Sequence, residues 1–581
     1  MIAAANEAFK LKISEDEKGN NFSAQSRRVA IETCKNSSAA FQILLFSDCR
    51  TAVNLGECAW FSEYEEVYNV RLVNDGLLEV NMNHLGMMRD DNPFYYADIL
   101  LNQKIVQIKP NVPHSIYVEI PIPENLPSGV YKGKIKVLVS KMFETEESAG
   151  EVTYTITVND ICLPVDTKDD FYLDLWQHNS NIARKAEVAL WSDRHFEIIE
   201  KYVKTLSELG QCAVTVIVSE IPWCGQRCFL NEDTRANLFE YSMVKVFENE
   251  DGSFTYDYSA LERYIELCFS YGIDKEIEVF GLLNIWQSIN EGYYNFTNYY
   301  DALRIRYKRT DGLYAYMKKV KHIEDYIKSL YRFFISKGWL EKVRVTADEP
   351  WDKESFELSL DRLSKLCPKF RYKIALGHFD FYSSFRDKIS DFAPGMICFC
   401  RENDDFIKAI AEDKKSKFIW YTCCSPEMPN NYLRSNLLET RYIAVLTDLF
   451  GLDGFLRWDY TVWPEKPRED IRFSMFAAGD TNFVYPAGDM SPLLTLRYKA
   501  LKRGIEDFIL LKRIRANGDL DTIEEIHSLT VKNRNFMDFY EKTENNIGFD
   551  KMSTTKFSDW EHMRNLMYLS ILNSQNGSDE K

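Results

Sequence analysis

The chain of 581 residues has no apolar run long enough to cross a bilayer, and residues 1–10 lack the basic segment and apolar core of a secretory leader. Both absences lead us to expect a cytoplasmic protein. Cations are also short: 71 Lys and Arg stand against 88 Asp and Glu, a formal charge of -17. Nucleic acids and anionic membranes are bound through clustered Lys and Arg, so neither is expected as a partner, and a neutral or small ligand is. Only 8 histidines occur, with no His-x-His or His-Glu-x-x-His spacing. No metal or other cofactor is expected, and a metal-dependent hydrolase built on His178, His378 and Asp459 ranks last among the alternatives. The 13 cysteines are an odd, scattered set. Neighbours such as Cys398 and Cys400, or Cys423 and Cys424, read as reduced, buried thiols, and Cys224 and Cys228 have no second ligand pair at zinc spacing. Internal repeats, low-complexity tracts and a Gly-x-Gly-x-x-Gly turn after a strand are all missing, which counts against an open dinucleotide-binding sheet.

What the chain does have is core material: 45% apolar residues, with 37 Phe, 33 Tyr and 11 Trp. The length predicts at least two domains. Residues 1–165 alternate short apolar strands with turn signals, as in 39–46, 115–120, 133–139 and 152–158, and predict an antiparallel β-sandwich. From residue 166 apolar runs alternate with amphipathic stretches of helical length. The runs are 171–178, 213–223, 276–284, 342–350, 371–379, 396–401, 417–424 and 454–463. The intervening helices include 194–209, 258–271, 323–337, 353–366 and 433–450. Eight such units over 166–515 predict a (β/α)8 TIM-type barrel, with insertions at 224–257 and 285–321 and a closing helix over 496–515. Residues 516–581 are expected to form a C-terminal helical extension, with a helical segment at 520–544 and a frayed polar tail from 573.

Barrels of this kind do chemistry at the C-terminal ends of their strands. The fourth run ends on adjacent carboxylates, Asp348 and Glu349, with Pro350 closing the strand. Side chains alternate along a strand, so both carboxylates reach one cavity only if the backbone turns at Glu349. Other tips carry Trp176, His178, Trp223, Asn284, His378, Trp420, Tyr421, Arg457, Trp458, Tyr460 and Trp463, which are expected to line the substrate pocket, and Trp286 and Trp351 lie just beyond two of them. Aromatic platforms around a few carboxylates suit sugar rings, whose C–H faces stack on indole. For each aromatic, packing against the helical layer is the competing role.

The strand tip Thr346-Ala-Asp348-Glu349-Pro350, the segment 454–463, the stretch 479–488 around Tyr485-Pro486, and the helical block 496–507 together resemble glycoside hydrolase family 123. Residues 120–133 are similar to that family's N-terminal β-sandwich. The resemblance implies a retaining exo-β-N-acetylgalactosaminidase that works by substrate assistance. In such a reaction the C2 acetamido oxygen attacks the anomeric carbon and gives an oxazolinium intermediate. It assigns Glu349 as general acid and base and Asp348 as the partner of the acetamido N–H. Tyr421 is then expected to orient the acetamido carbonyl, with Trp420 and Trp458 walling the pocket. The implied partner is a glycan ending in a β-linked N-acetylhexosamine. A hexosaminidase of other sugar specificity and a barrel that only binds glycans are the alternatives.

Overall fold

The computed structural model describes residues 1–14, 26–56, 67–222, 239–283, 299, 303–473, 476–536 and 548–578. Its N-terminal part is two six-stranded sheets packed face to face. Strand His114–Ile122 lies between Ser37–Leu45 and Asn81–Arg89, aligning Ile116 with Ile43 and Val118 with Phe41. These residues interlock with Val152, Tyr154, Ile156 and Val158 of the second sheet. The opposite face of the first sheet, through Ala40, Leu85, Ala97 and Tyr117, is covered by Leu437, Leu496 and Ala500 from the barrel's helices. Burial on both faces explains why Ser37–Leu45 reads as a continuous apolar run, whereas Glu147–Cys162 alternates. The expected antiparallel sandwich is met in one sheet and only partly in the other. The first sheet is antiparallel throughout, but the second is mixed, with Glu147–Cys162 parallel to Arg28–Lys35, and Arg50–Asn54 parallel to Val67–Gly76.

The second part is a nearly closed barrel of eight parallel strands. In chain order they are Tyr172–Leu175, Ala213–Ile217, Glu276–Phe280, Val343–Ala347, Arg371–Leu376, Asp391–Pro394, Lys417–Tyr421 and Gly454–Arg457. Spatial order follows chain order, and the eighth strand pairs with the first. Closure between the first and second strands is slight. A bridge joins Leu173 to Gln211, Cys212 N–H donates to Leu173 C=O at 2.9 Å, and the Gln211 side chain accepts from Leu175 N–H. Helices alternate with the strands and bury their apolar stripes on them. Asp193–Leu209 starts on a Ser192 cap and stops at Gly210 in the left-handed region, while Leu437–Leu449 starts on an Asn436/Glu439 capping box.

The sixth strand differs from the sequence expectation. Residues 396–401 are helix Met396–Arg401, and the strand is the shorter Asp391–Pro394 just before it. A short apolar run fits a buried strand and a buried helix equally, and Pro394-Gly395 ends the ladder before Met396. The insertions after the second and third strands meet in one small sheet, where Lys245–Glu248 pairs with Phe254–Asp257 and, at one position, with Arg306–Lys308. The C-terminal extension also departs from expectation. Its first helix is Leu520–Thr530, and the tail from 573 continues helix Phe557–Ser578.

Candidate active site

Strand periodicity sorts the fourth strand's side chains. Val343, Val345 and Ala347 join the apolar layer shared with the helices, which leaves Arg344, Thr346 and Asp348 on the barrel's inner face. Simple continuation would turn Glu349 back towards the helices. Instead the backbone at Glu349 enters the left-handed region, φ 41°, a conformation that costs a non-glycine residue of order 1 kcal/mol. This turn keeps Glu349 on the inner side. Its Oε1 accepts a hydrogen bond from the Tyr421 hydroxyl at the end of the seventh strand. Both carboxyls are half-buried. Burial pushes each above the ordinary carboxylate range, and for Asp348 the neighbouring Glu349 charge adds to the rise. The Tyr421 hydrogen bond and His378 pull Glu349 partly back down. The pair therefore holds a proton at a pH where exposed carboxylates have lost theirs.

Tyr421 reaches Glu349 because of a glycine. A Cβ on Gly395, at the end of the sixth strand, would sit 3.0 Å from the Tyr421 hydroxyl oxygen and 3.1 Å from the ring carbon bearing it. The floor beneath is aromatic and apolar: Trp176, Phe280, Ala375, Ile419, Leu456 and Trp458 form one inner cluster with Tyr421. Trp176 meets Phe280 edge-on with ring centroids 4.9 Å apart. Lower in the barrel Lys373 forms ion pairs with Asp174, Glu276 and Glu278, all fully buried. Burial and the Asp174 charge raise Glu278 well above its ordinary value, against the pull of Lys373.

The structure divides the expected site residues. Asp348, Glu349, Tyr421, Trp458 and Trp176 gather at the inner mouth, with an exposed His378 nearby at the start of helix Phe379–Phe385. Trp420, Tyr460 and Trp463 do not join them, which corrects the expectation that they line the pocket. Trp420 packs against Phe399 and Phe450 and donates to Thr447 Oγ1 at 2.9 Å. The Tyr460 hydroxyl lies 2.7 Å from Thr205 Oγ1, and Trp463 lies beside Tyr202 while its indole N–H donates to Val484 C=O. Each faces the helical layer because its neighbour in sequence already occupies the inner face, or because the eighth strand has ended at Arg457.

Arg457 is a brace, fully buried against Asp480 at 2.7 Å, Asn430 at 3.0 Å and Asp459 at 3.4 Å. His178 backs Trp458, its Nε2 lying 2.8 Å from the Trp458 carbonyl, and burial pulls the imidazole down to about 4. Trp223, Asn284, Trp286, Cys224 and Cys228 lie outside the described residues. Among the described residues no three His, Cys, Asp or Glu side chains are grouped as a metal site would need. The sequence reading missed Phe280, which the alternation Glu276, Glu278, Phe280 places on the inner face. Cys423 and Cys424, expected as buried thiols, are not both so: Cys423 is half-buried against the cluster that holds Tyr421, and Cys424 is exposed.

The model of the glycoside hydrolase 123 catalytic domain matches residues 176–514. A solved family 123 glycoside hydrolase from Clostridium perfringens, studied for glycolipid glycan hydrolysis, is 19% identical with a TM-score of 0.76, covering 100% of this chain and 98% of that one. At that identity the likeness is one of fold. A Bacteroides vulgatus protein described as a glycoside hydrolase is 11% identical over 84% of this chain and 78% of its own, with a TM-score of 0.32. The β-D-glucuronidase of Dictyoglomus thermophilum is 9% identical over 87% and 97%, with a TM-score of 0.31. At such scores neither bears on the site. No curated protein sequence matches the chain.

Proposed function

The chain belongs to glycoside hydrolase family 123, and from that premise we propose that it is a retaining exo-β-N-acetylgalactosaminidase acting by substrate assistance. The observation that carries the reading is the left-handed turn at Glu349, beside Asp348, with the Glu349 carboxylate accepting from Tyr421 at the seventh strand's tip. Glu349 protonates the glycosidic oxygen as the bond to the leaving group breaks. The acetamido oxygen of the substrate attacks the anomeric carbon from the opposite face, and a cationic oxazolinium forms. Asp348 accepts the acetamido N–H and offsets that charge. Water then adds to the anomeric carbon, Glu349 takes its proton, and the ring opens with net retention.

The raised proton affinity of both carboxyls supports this division of labour. An N–H aimed at Asp348 stabilises its ionised form, so the proton held by the pair moves to Glu349, the residue that must donate it. Tyr421 donates to Glu349 before substrate arrives. Exchanging that acceptor for the acetamido carbonyl orients the nucleophile and removes the hydrogen bond that favours ionised Glu349. Trp458 and Trp176 supply the aromatic floor, while Arg457 holds the Trp458 segment through Asp480.

The test is a panel of chromogenic aryl β-glycosides with and without the 2-acetamido group. Hydrolysis confined to the 2-acetamido sugars, with the galacto epimer fastest and a thiazoline mimic inhibitory, is the expected result. Glu349→Gln should lower kcat for a poor leaving group by roughly 10²–10⁴-fold. Equal turnover of a 2-hydroxy analogue would overturn substrate assistance, and full activity in Glu349→Gln would remove that residue from proton transfer.

A further inference from the structure

The seventh strand ends at Tyr421, and the chain runs on into Cys423 and Cys424. Cys423 packs against the inner cluster that contains Tyr421 and Trp458, Cys424 is exposed, and their sulfurs lie 3.7 Å apart. Among the described residues most other cysteines are buried, with Cys49 and Cys162 half-buried. We propose that Cys423 and Cys424 form a redox-active vicinal dithiol, a modification site that a hydroperoxide converts to a vicinal disulfide and that thereby disables the carboxyl pair beside it.

Three observations support this. The first is distance: a disulfide needs sulfurs at about 2.05 Å, so side-chain rotation has to bring them closer by about 1.7 Å. The second is reactivity: donation from Cys423 holds the Cys424 thiol below its ordinary value, and Cys424 is the one that solvent reaches. An exposed, more acidic thiol and a resolving thiol are therefore adjacent. The third is connection to the site. The Cys423 carbonyl accepts from Asn430 Nδ2 at 2.9 Å and from the Tyr432 hydroxyl at 2.8 Å, and Asn430 Oδ1 in turn accepts from Arg457. Closing the ring twists the Cys423–Cys424 peptide, strains these anchors and shifts Tyr421, two residues upstream, away from Glu349. Adjacent residues have Cα atoms about 3.8 Å apart, below the usual range for a disulfide, so the bond is strained and easily reduced.

The chemistry balances. The Cys424 sulfur attacks one oxygen of hydrogen peroxide, the O–O bond breaks, water leaves, and a sulfenic acid remains. The Cys423 sulfur then attacks that sulfur, the S–S bond forms, and a second water departs. Two thiols lose two electrons, and the peroxide gains them.

The effect on turnover rests on the glycosidase reading above, whereas the thiol chemistry does not, and the experiment separates the two. The full chain is treated with equimolar hydrogen peroxide, alkylated with N-ethylmaleimide, digested and mapped, so that Cys224 and Cys228 are scored on their own peptides. The peptide spanning 423–424 should lose two hydrogens and escape alkylation. Hydrolysis of an aryl β-N-acetylgalactosaminide should fall on the order of 10²-fold, as for misplacement of a catalytic group by about 1 Å. Dithiothreitol should restore both, and Cys424→Ser should keep the untreated rate and resist peroxide. Alkylation of both cysteines after treatment, or oxidation of Cys424 only to sulfenic or sulfinic acid, overturns the dithiol. A disulfide that leaves turnover unchanged overturns its coupling to the site. A chain inactive on every glycoside before treatment sinks the proposed function and leaves the peptide mass to decide the thiols alone.

Discussion

At the scale of single residues, the cost of holding two carboxyls side by side gives the sharpest expectation. Both Asp348 and Glu349 have folded pKa values above their ordinary ones because of burial. An acid with a raised folded pKa binds more protons folded than unfolded, so its contribution to stability falls as pH rises from about 4, the unfolded carboxylate value, through the folded value. Asp348→Asn removes that cost. The variant should melt at the same temperature as the parent in acid and at a higher one near neutrality. Its kcat should fall about 10²–10³-fold, the scale of losing one preorganised electrostatic partner of the transition state. Thermal unfolding from pH 4 to 8 beside kcat at each pH checks both halves; a variant less stable at pH 7 would refute the electrostatic account. The carboxyl pair was legible in the sequence because alternation stated the condition for it, a turn at Glu349, and φ 41° there meets that condition. The aromatics were less legible. Trp420 and Tyr421 are adjacent in an extended strand, so only one of them faces inward, and composition at a strand tip does not say which.

Among elements, the sixth and seventh strands set the site through Gly395. The bridge between Gly395 and Tyr421 is the last contact before both strands end, and hydrogen in place of a side chain there leaves the space the tyrosine ring crosses. Gly395→Ala puts a methyl group 3.0 Å from the hydroxyl oxygen, closer than a relaxed van der Waals contact, so the ring must shift by a few tenths of an ångström. Its φ of -60° is ordinary for alanine, so little backbone strain is added. We expect kcat to drop roughly tenfold through loss of the Tyr421–Glu349 alignment, with unfolding free energy changed by less than about 1 kcal/mol. Steady-state kinetics and a urea melt on the same sample separate these effects, and an unchanged kcat would show that the tyrosine position is not limiting. The sixth strand is also where sequence reading lost the element. Asp391-Phe-Ala-Pro394 is too short to show a period, while the apolar Met396–Arg401 beside it looked like the strand and is a buried helix. Longer elements were clear, since helices such as Lys353–Leu366 repeat their apolar face over several turns.

The whole molecule is joined by buried charge as well as by apolar contact. Asp98, on sandwich strand Phe94–Leu100, receives Arg497 Nη2 at 2.9 Å and its Nε at 3.1 Å, and both residues are buried. The same guanidinium donates through Nη1 to the carbonyls of Gly479 at 2.7 Å and Asn482 at 2.6 Å. Between those two residues lies Asp480, which holds Arg457 beneath Trp458. One arginine thus ties the sandwich, the helix Leu496–Ala516 and the floor of the site into a single unit. Asp98→Ala would leave the Arg497 charge buried with carbonyl partners but no counter-ion, and removing one member of a buried pair costs roughly 3–5 kcal/mol. Because the Gly479–Asn482 segment is anchored by that guanidinium, activity should be lost at lower denaturant than in the parent, and kcat should fall even where the chain is still folded. Asp98→Asn, which keeps an acceptor but not the charge, should lie between the two. Guanidinium unfolding followed by fluorescence, with hydrolysis measured at each denaturant concentration, reads both quantities. If Asp98→Ala unfolds within about 0.5 kcal/mol of the parent, the range of an ordinary surface substitution, the sandwich and barrel are held by their apolar interface instead, and Arg497 serves only the loop it donates to.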